Sequence, residues 1–288
     1  MSKRAVVTGA NSGIGLATTL RLAADGYEVF AGARRAEGLE AIATAAATAG
    51  ATTVHPITID VSDDASVAAA FAEVLAGGPV DVLVNNAGIT GAGSVEETPV
   101  DVYQAMFDTN VLGVVRCTQA VLPGMRDARS GRIVNISSSS AVVSPPLMAA
   151  YASTKRAVES ISESLQAEVA PFGIRVVLVQ AGTILTPIWG KSEAPPEDTA
   201  YPQARDFLLK VLTHQLTSSG VAPETVADAI AAAVEHEAPS LRHLVGDADV
   251  LAGMRERHPD DDLFGVYFLE GREFESRYHE LSGIDYWA

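Results

Sequence analysis

A tyrosine and a lysine one helical turn apart are the side chains of this 288-residue chain best suited to moving a proton. Tyr151 and Lys155 fall in a stretch whose pattern predicts a helix over about residues 150–172, so both side chains lie on one face. A phenol with its ordinary pKa near ~10 is a poor acid or base at neutral pH. A neighbouring ammonium group favours the tyrosinate, so we expect Lys155 to lower the pKa of Tyr151. A lone pair at this spacing is also common on helix surfaces.

Four consecutive serines, residues 137–140, precede this pair and directly follow a predicted strand. In open α/β sheets, ligands bind at the carboxyl ends of the strands, which is where this run lies. One of these hydroxyls could therefore share a site with the tyrosine, whereas a turn bonded only to its own backbone is the alternative. Side chains alternate along a strand, so neighbouring serines point to opposite faces.

Short apolar runs alternate with alanine-rich helical patterns along the chain. The predicted strands cover residues 5–7, 27–31, 54–59, 80–84, 132–136 and 175–179, and the predicted helices include residues 14–24, 37–49, 63–75 and 150–172. The strands are apolar throughout, as expected when both faces of a sheet are covered. This order predicts an α/β fold, a Rossmann-type doubly wound parallel sheet of about seven strands with helices on both faces.

We expect residues 1–288 to form a single domain. Residues 187–222 contain several prolines and interrupt the strand–helix alternation, so we interpret them as a substrate lid made of loop or short helices. Residues 247–288 form a C-terminal extension that holds a large share of the aromatic side chains. The extension is expected to pack on the body of the protein or on a second subunit.

The first predicted strand leads through a glycine-rich loop into a helix. Glycines allow a pyrophosphate to approach the backbone closely, and the helix N-terminus offers free N–H groups. A glycine cluster alone could be a simple tight turn, but its position inside a strand–helix–strand unit favours dinucleotide binding. The candidate cofactor-binding residues of this loop are Thr8, Gly9, Asn11, Ser12, Gly13, Ile14 and Gly15.

The G-x-x-x-G-x-G spacing of this loop, together with the serine run and the Y-x-x-x-K pair, resembles the classical short-chain dehydrogenases/reductases over about residues 4–246. The resemblance implies that the reactive serine lies thirteen residues before the tyrosine, which is Ser138. It also implies that Asn110 is a fourth catalytic residue, which holds a water in a proton relay with Ser138, Tyr151 and Lys155.

Further positions match the cofactor-binding segments of that family. The resemblance assigns Asp60 and Val61 to the adenine, the segment Asn86, Ala87 and Gly88 to the neighbourhood of the cofactor, Tyr151 and Lys155 to the ribose, and Gly182 and Thr186 to the nicotinamide end. One position departs from the pattern, because Ala181 stands where the family often has proline. The loop after the sixth strand is therefore less restricted in backbone conformation.

Two arginines indicate which dinucleotide is bound. Arg34 and Arg35 follow the second predicted strand, about twenty residues past the glycine loop, where such chains contact the adenosine ribose. NAD-type members of the family place an acid where this chain has Ala33, and a guanidinium suits a 2′-phosphate. We predict NADP(H), with NAD(H) as the alternative. Both arginines could instead be solvated residues at a helix start, and Glu37 adds an opposing charge.

Composition limits the partners. The net charge of −16 disfavours nucleic acid, and no apolar stretch is long enough for membrane insertion. The single cysteine, Cys117, and the absence of a signal-peptide pattern favour a cytoplasmic protein. The histidines have no metal-site spacing, so no metal is implied. The resemblance implies a homodimer or homotetramer in which helices such as 101–128 and 150–172 pair.

The function expected from these residues is NADPH-dependent reduction of a hydrophobic ketone or aldehyde, or the reverse oxidation, with Tyr151 as the acid or base. Candidate residues for an apolar substrate pocket are Pro145, Pro146, Leu147, Met148, Ile188, Trp189, Phe207 and Leu208, although ordinary packing would also account for them. Two alternatives remain open. One is an NAD-linked secondary-alcohol dehydrogenase of the steroid or retinoid type, and the other is a non-catalytic dinucleotide-binding sensor or scaffold.

Overall fold

The six predicted strands and a seventh that the sequence analysis did not locate, Arg242–Val245, form one parallel sheet, which confirms the Rossmann-type fold. The computed structural model describes residues 2–191 and 195–287, with the side chain of residue 191 excepted. The strands are β1 (Arg4–Val7), β2 (Glu28–Ala33), β3 (Val54–Thr58), β4 (Val82–Asn85), β5 (Gly131–Ser138), β6 (Ile174–Ala181) and β7 (Arg242–Val245). Their order across the sheet is β3-β2-β1-β4-β5-β6-β7, so the direction of sheet growth reverses between β1 and β4. Ligands of such sheets bind in the crevice at this reversal.

Helices cover both faces of the sheet. They are α1 (Gly13–Ala24), α2 (Ala36–Ala49), α3 (Asp64–Ala76), α4 (Val100–Phe107), α5 (Gly113–Ala128), α6 (Ala149–Val169), α7 (Ile188–Lys191), α8 (Pro202–His214), α9 (Pro223–Glu235), α10 (Ala248–Arg257), α11 (Asp260–Gly265) and α12 (Gly271–Ser282). Two separate apolar layers result, one on each face, because successive strand side chains point to opposite sides. None of the helices in the described ranges is long and apolar enough to cross a membrane.

Local chemistry explains where several elements begin and end. The side chain of Asp63 accepts a hydrogen bond from the Ser66 amide at 2.6 Å and caps the start of α3. Helix α2 is followed by Gly50, whose φ of 65° is the left-handed conformation that glycine adopts without steric cost. Strand β5 extends two residues beyond its prediction, so that Ser138 is its last residue and pairs with Ala181 of β6.

The helix expected over residues 101–128 is interrupted. Helix α4 continues into a π-helical turn, Asp108–Leu112, before α5 begins. The wider turn contains Asn110, whose amide bonds both the N–H and the C=O of Ile89. The interruption is thus accompanied by contacts outside the helix, and π-helical turns often occur at functional sites.

The lid segment is more helical than a loop. It contains α7, α8 and a second π-helical turn, Gln215–Ser219, while residues 192–194 lie outside the described residues. The C-terminal extension folds back on the lid and packs most of its aromatic side chains there, whereas Phe264 and Phe268 are exposed. Phe207 of α8 meets the rings of the extension, and we call this group the aromatic cluster: Phe207, Tyr267, Phe274, Tyr278, Tyr286 and Trp287. The extension therefore packs on the same chain.

Candidate active site

Two residues of the glycine loop, Gly9 and Gly15, are packed so closely that no Cβ fits. A Cβ added to Gly15 would overlap the carbonyl oxygen of Gly9 and the side-chain amide of Asn86. Gly9 itself has a φ of 64°, and a Cβ there would lie 2.8 Å from the Cα of Ala87. Ser12, which precedes α1, makes no side-chain bond to the first turn, so the N–H groups there are available to an anion. The loop therefore fits a dinucleotide pyrophosphate.

Thr8 joins this loop to the end of β4. Its hydroxyl oxygen accepts hydrogen bonds from the backbone amides of Asn86 and Ala87, both at 3.0 Å. The Asn86 side chain donates to the carbonyl oxygens of Thr8 and Gly9 at 2.9 and 3.0 Å. The two strand ends on either side of the crevice are thus held together by side chains that were predicted to bind the cofactor.

The adenine-ribose end of the crevice carries opposite charges. Arg34 is exposed, and its guanidinium lies 3.7 Å from a carboxylate oxygen of Asp60. Burial acts to raise the pKa of Asp60, but hydrogen bonds from Ser62 and the charges of Arg34 and Arg116 outweigh it and hold that pKa below its ordinary value. Asp60 is therefore ionised at neutral pH, and Arg34 makes only a long ion pair with it.

Ser138, Tyr151 and Lys155 come together at the other end of the crevice. A hydrogen bond links Ser138 to the Tyr151 phenol, and the Lys155 ammonium lies 5.6 Å from the centre of the Tyr151 ring. Lys155 donates to the carbonyl oxygen of Ile136 in β5 at 2.8 Å. Ser137 points away, as predicted, and its hydroxyl donates to Glu159 at 2.8 Å. Ser138 also bonds Ser140 in the turn that follows.

The expected lowering of the Tyr151 pKa is wrong. Burial raises it, and the hydrogen bond with Ser138 opposes that rise only in part. Burial also lowers the pKa of Lys155, to about 8. The physical reason is that removal from water disfavours the charged form of both groups, which opposes the attraction between ammonium and tyrosinate. Tyr151 is consequently a protonated phenol at neutral pH.

Lys155 should make stability depend on pH. Its folded pKa of about 8 lies below the ordinary lysine value near ~10.4, so between these values the unfolded chain binds more protons and stability rises with pH. We expect wild type to gain up to about 3 kcal/mol relative to Lys155→Met on going from pH ~7.5 to ~10.5. Urea unfolding of both proteins at the two pH values measures this, because the other titrating groups cancel in the difference. A difference that does not change with pH would contradict the buried amine.

Asn110 lies behind these residues and is only 1% exposed. Its oxygen accepts from the amide of Ile89 at 2.8 Å, and its nitrogen donates to the Ile89 carbonyl at 2.9 Å and to the Thr154 hydroxyl at 3.1 Å. Both amide hydrogens are therefore used. Asn110 connects the π-helical turn to the residue that precedes Lys155.

One cavity of about 680 Å³ joins the two ends of the crevice. Most of the predicted site residues line it, namely Gly9, Asn11, Ser12, Gly13, Ile14, Arg34, Arg35, Asp60, Val61, Asn86, Ala87, Gly88, Ser138, Tyr151, Lys155, Gly182 and Thr186. Thr8, Gly15 and Asn110 are not among the lining residues, and they support it from behind. The packing of Thr186 is close, because a Cβ on Gly13 would lie 2.9 Å from the side chain of Thr186.

The substrate end of the cavity is largely apolar. Of the predicted pocket residues, Pro145, Met148, Ile188, Trp189, Phe207 and Leu208 line it, whereas Pro146 and Leu147 do not. Leu147 instead packs against Met148 and Leu208. The sequence did not predict three lining residues of the extension, Leu251, Tyr278 and Tyr286. The aromatic content of the extension was visible in the sequence, but nothing there indicated that it reaches the cavity.

Known proteins share this sequence pattern and fold. A sequence model of the short chain dehydrogenase family matches residues 3–197. The uncharacterized oxidoreductase YusZ of Bacillus subtilis (strain 168) is 36% identical over 251 residues, which are 85% of this chain and 89% of that protein. Human retinol dehydrogenase 8 is 35% identical over 248 residues, 82% of this chain and 79% of that protein.

Two solved structures superpose over most of the chain. A short-chain dehydrogenase from Streptomyces avermitilis has a TM-score of 0.79 and 39% identity, and the match covers 89% of this chain and 93% of that one. The F189W actinorhodin polyketide ketoreductase, solved with NADPH, has a TM-score of 0.74 and 32% identity, with 84% and 95% of the chains covered. With the geometry above, these matches establish that the chain belongs to the short-chain dehydrogenase family, oxidoreductases that act on CH–OH or C=O groups with NAD(P).

Proposed function

We propose that this protein uses NADPH to reduce a hydrophobic ketone or aldehyde to an alcohol, and catalyses the reverse oxidation with the same groups. The observation that carries the proposal is the continuity of the cavity. It has Ser138, Tyr151 and Lys155 beside an apolar compartment at one end, and Arg34 with Arg35 at the other. A similar protein, the actinorhodin ketoreductase, has been solved with NADPH, which supports the choice of cofactor.

The contacts of these side chains support a role for each of them in the proposed reaction. When bound, the cofactor supplies hydride to the carbonyl carbon. Ser138 donates a hydrogen bond to the carbonyl oxygen, and Tyr151, whose pKa is raised by burial, gives its phenolic proton to that oxygen. Lys155, held by the Ile136 carbonyl, orients the cofactor ribose and influences the proton affinity of Tyr151.

Asn110 contributes to the same proposed machinery from a greater distance. Through Thr154 it fixes the turn of α6 that carries Tyr151 and Lys155. Its oxygen retains a second lone pair that can accept from a water, which is compatible with the relay implied by the resemblance. We assign it to the proton path and not to direct contact with substrate.

Titration of the purified protein with NADPH and with NADH, followed by nicotinamide fluorescence, tests this proposal without knowledge of the substrate. Preference for NADPH supports it and directs the search to carbonyl compounds. Preference for NADH would instead favour an NAD-linked alcohol dehydrogenase. Failure to bind either nucleotide would contradict the proposed oxidoreductase activity, although the assignment of the fold would stand.

Arg34→Ala should separate the two cofactors. A charge-assisted hydrogen bond to a phosphate contributes about 1.5–3 kcal/mol, so we expect NADPH affinity to fall by about 10- to 100-fold. NADH affinity should stay within about twofold, because NADH has no 2′-phosphate for Arg34 to contact. Arg272→Ala, which removes an exposed guanidinium from the C-terminal extension, is the matched control. Equal losses for both nucleotides would rule out Arg34 as the phosphate-binding residue.

A further inference from the structure

The carboxylate of Asp247 joins two separate segments beside the cavity. One oxygen accepts a hydrogen bond from the Thr183 backbone amide at 2.6 Å, in the loop after β6. The other accepts from the Ser219 hydroxyl at 2.7 Å, at the end of the π-helical turn that follows α8. Asp247 itself lies just before α10, at the start of the C-terminal extension.

The position of Asp247 would suit an ordinary helix cap, yet it does not act as one. An aspartate at the residue before a helix usually accepts from an amide of the first turn. The Asp247 side chain makes no such bond to α10 within the described residues, and it is directed to Thr183 and Ser219 instead. Capping therefore does not account for this carboxylate.

The loop that Asp247 holds, residues 182–186, forms the cofactor side of the cavity. Thr183 is 4% exposed, and both of its backbone polar groups are bonded. Its carbonyl oxygen accepts from the Val221 amide at 3.1 Å, and its N–H donates to Asp247. Gly182 packs so closely on Asp247 that a Cβ there would overlap the carboxylate. At the other end of the loop, Thr186 packs on Gly13 of the glycine loop.

The second partner of Asp247 leads to the substrate side of the cavity. Ser219 ends the turn that continues α8, and α8 carries Phe207, Leu208, Val211 and Leu212 into the cavity lining. One carboxylate thus holds the loop after β6 and the C-terminal end of the lid helix at a fixed separation. The loop follows Ala181, whose backbone φ is not restricted as that of a proline would be.

We propose that Asp247 is a positioning residue, which holds the loop 182–186 against the nicotinamide half of the cofactor and keeps the C-terminal end of the lid helix α8 at a fixed distance from that loop. This proposal rests on the proposed function for its cofactor-binding consequence. The contact itself, between Asp247 and the Thr183 amide, is independent of that function.

The test compares Asp247→Ala with Asp247→Asn, and uses Asp249→Ala, an exposed aspartate in the first turn of α10, as the control. The ligands are NADPH and adenosine 2′,5′-bisphosphate, which lacks the nicotinamide half. Because the buried Thr183 amide loses its partner, Asp247→Ala should bind NADPH about tenfold more weakly than wild type. Its affinity for the bisphosphate should stay within about twofold of the wild-type value. Exchange of the Thr183 amide with deuterium should accelerate by about tenfold or more.

Asp247→Asn should restore binding to within about threefold of wild type, because an amide oxygen can accept from Thr183 while its nitrogen donates to the Ser219 hydroxyl. Asp249→Ala should behave as wild type in every measurement. Ser219→Ala removes only the lid half of the contact and should leave NADPH binding within about twofold.

Two results would overturn the positioning role. Equal losses of affinity for NADPH and for the bisphosphate in Asp247→Ala would show general destabilisation. An unchanged exchange rate of the Thr183 amide would show that the contact with Asp247 does not stabilise the loop. If wild type binds neither ligand, the proposed function fails, and the Thr183 exchange rate still decides whether Asp247 holds the loop.

Discussion

Replacing Tyr151 by phenylalanine should lower kcat for an accepted ketone by about a thousandfold, while the Kd of NADPH stays within about twofold. General acid–base catalysis by a placed side chain typically contributes ~10²–10⁴-fold, and the Tyr151 phenol is protonated, bonded to Ser138 and part of the cavity lining. The ring that lines the cavity is retained in the variant. Steady-state kinetics and fluorescence titration of NADPH measure the two quantities separately.

Tyr103→Phe is the matched control for this substitution. The Tyr103 phenol is buried on α4 and, within the described residues, has no hydrogen-bond partner and does not line the cavity. Its removal should leave both kcat and the NADPH Kd near wild type. If Tyr151→Phe retained most of its turnover, the proton would have to come from another donor, and the assignment of Tyr151 would be wrong.

Gly15→Ala should abolish measurable NADPH binding, with a loss of at least about a hundredfold. The added methyl would overlap the Gly9 carbonyl oxygen and the Asn86 amide, and neither can yield easily. The carbonyl belongs to the loop backbone, and the Asn86 amide is bonded to Thr8 and Gly9. Displacement of the loop by about 1 Å is enough to cost such a factor at a site that depends on close geometry.

Gly265→Ala is the control for a methyl added to a helical glycine, because nothing lies within 4 Å of the position its Cβ would take. Thermal unfolding should show a lower Tm for Gly15→Ala and a nearly unchanged Tm for Gly265→Ala, since overpacking typically costs about 1–3 kcal/mol. Gly15→Ala protein that binds NADPH as wild type does would mean that the loop can open at little cost.

The sequence was most informative where a residue pattern follows directly from burial or from spacing along the chain. Strands with both faces buried are apolar throughout, so six strands of the sheet could be predicted from hydrophobic runs, whereas β7, of which only Val245 is buried, could not. The family spacing identified Ser138, and the structure places it at the last residue of β5, two residues beyond the predicted end of the strand. Strand ends are the least certain part of such predictions because exposed backbone groups can continue pairing with a neighbour.

Other properties depend on contacts between segments far apart in the chain. The pKa of Tyr151 depends on the degree of burial, which the Tyr151–Lys155 spacing does not contain. The π-helical turn at Asn110 is accompanied by bonds to Ile89, twenty-one residues earlier. The place of the extension was equally hidden, since an aromatic-rich tail can pack on its own chain or on another.

The aromatic cluster has a consequence for how the cavity opens. Phe207 of the lid is in ring contact with Tyr267, Phe274, Tyr278 and Trp287 of the extension, with ring centres 4.8–6.4 Å apart. A lid that swung outward alone would separate these rings and expose them to water, which is unfavourable for so much apolar surface. We therefore expect the lid and the extension to move together, so that substitutions in the extension should change the rate of product release.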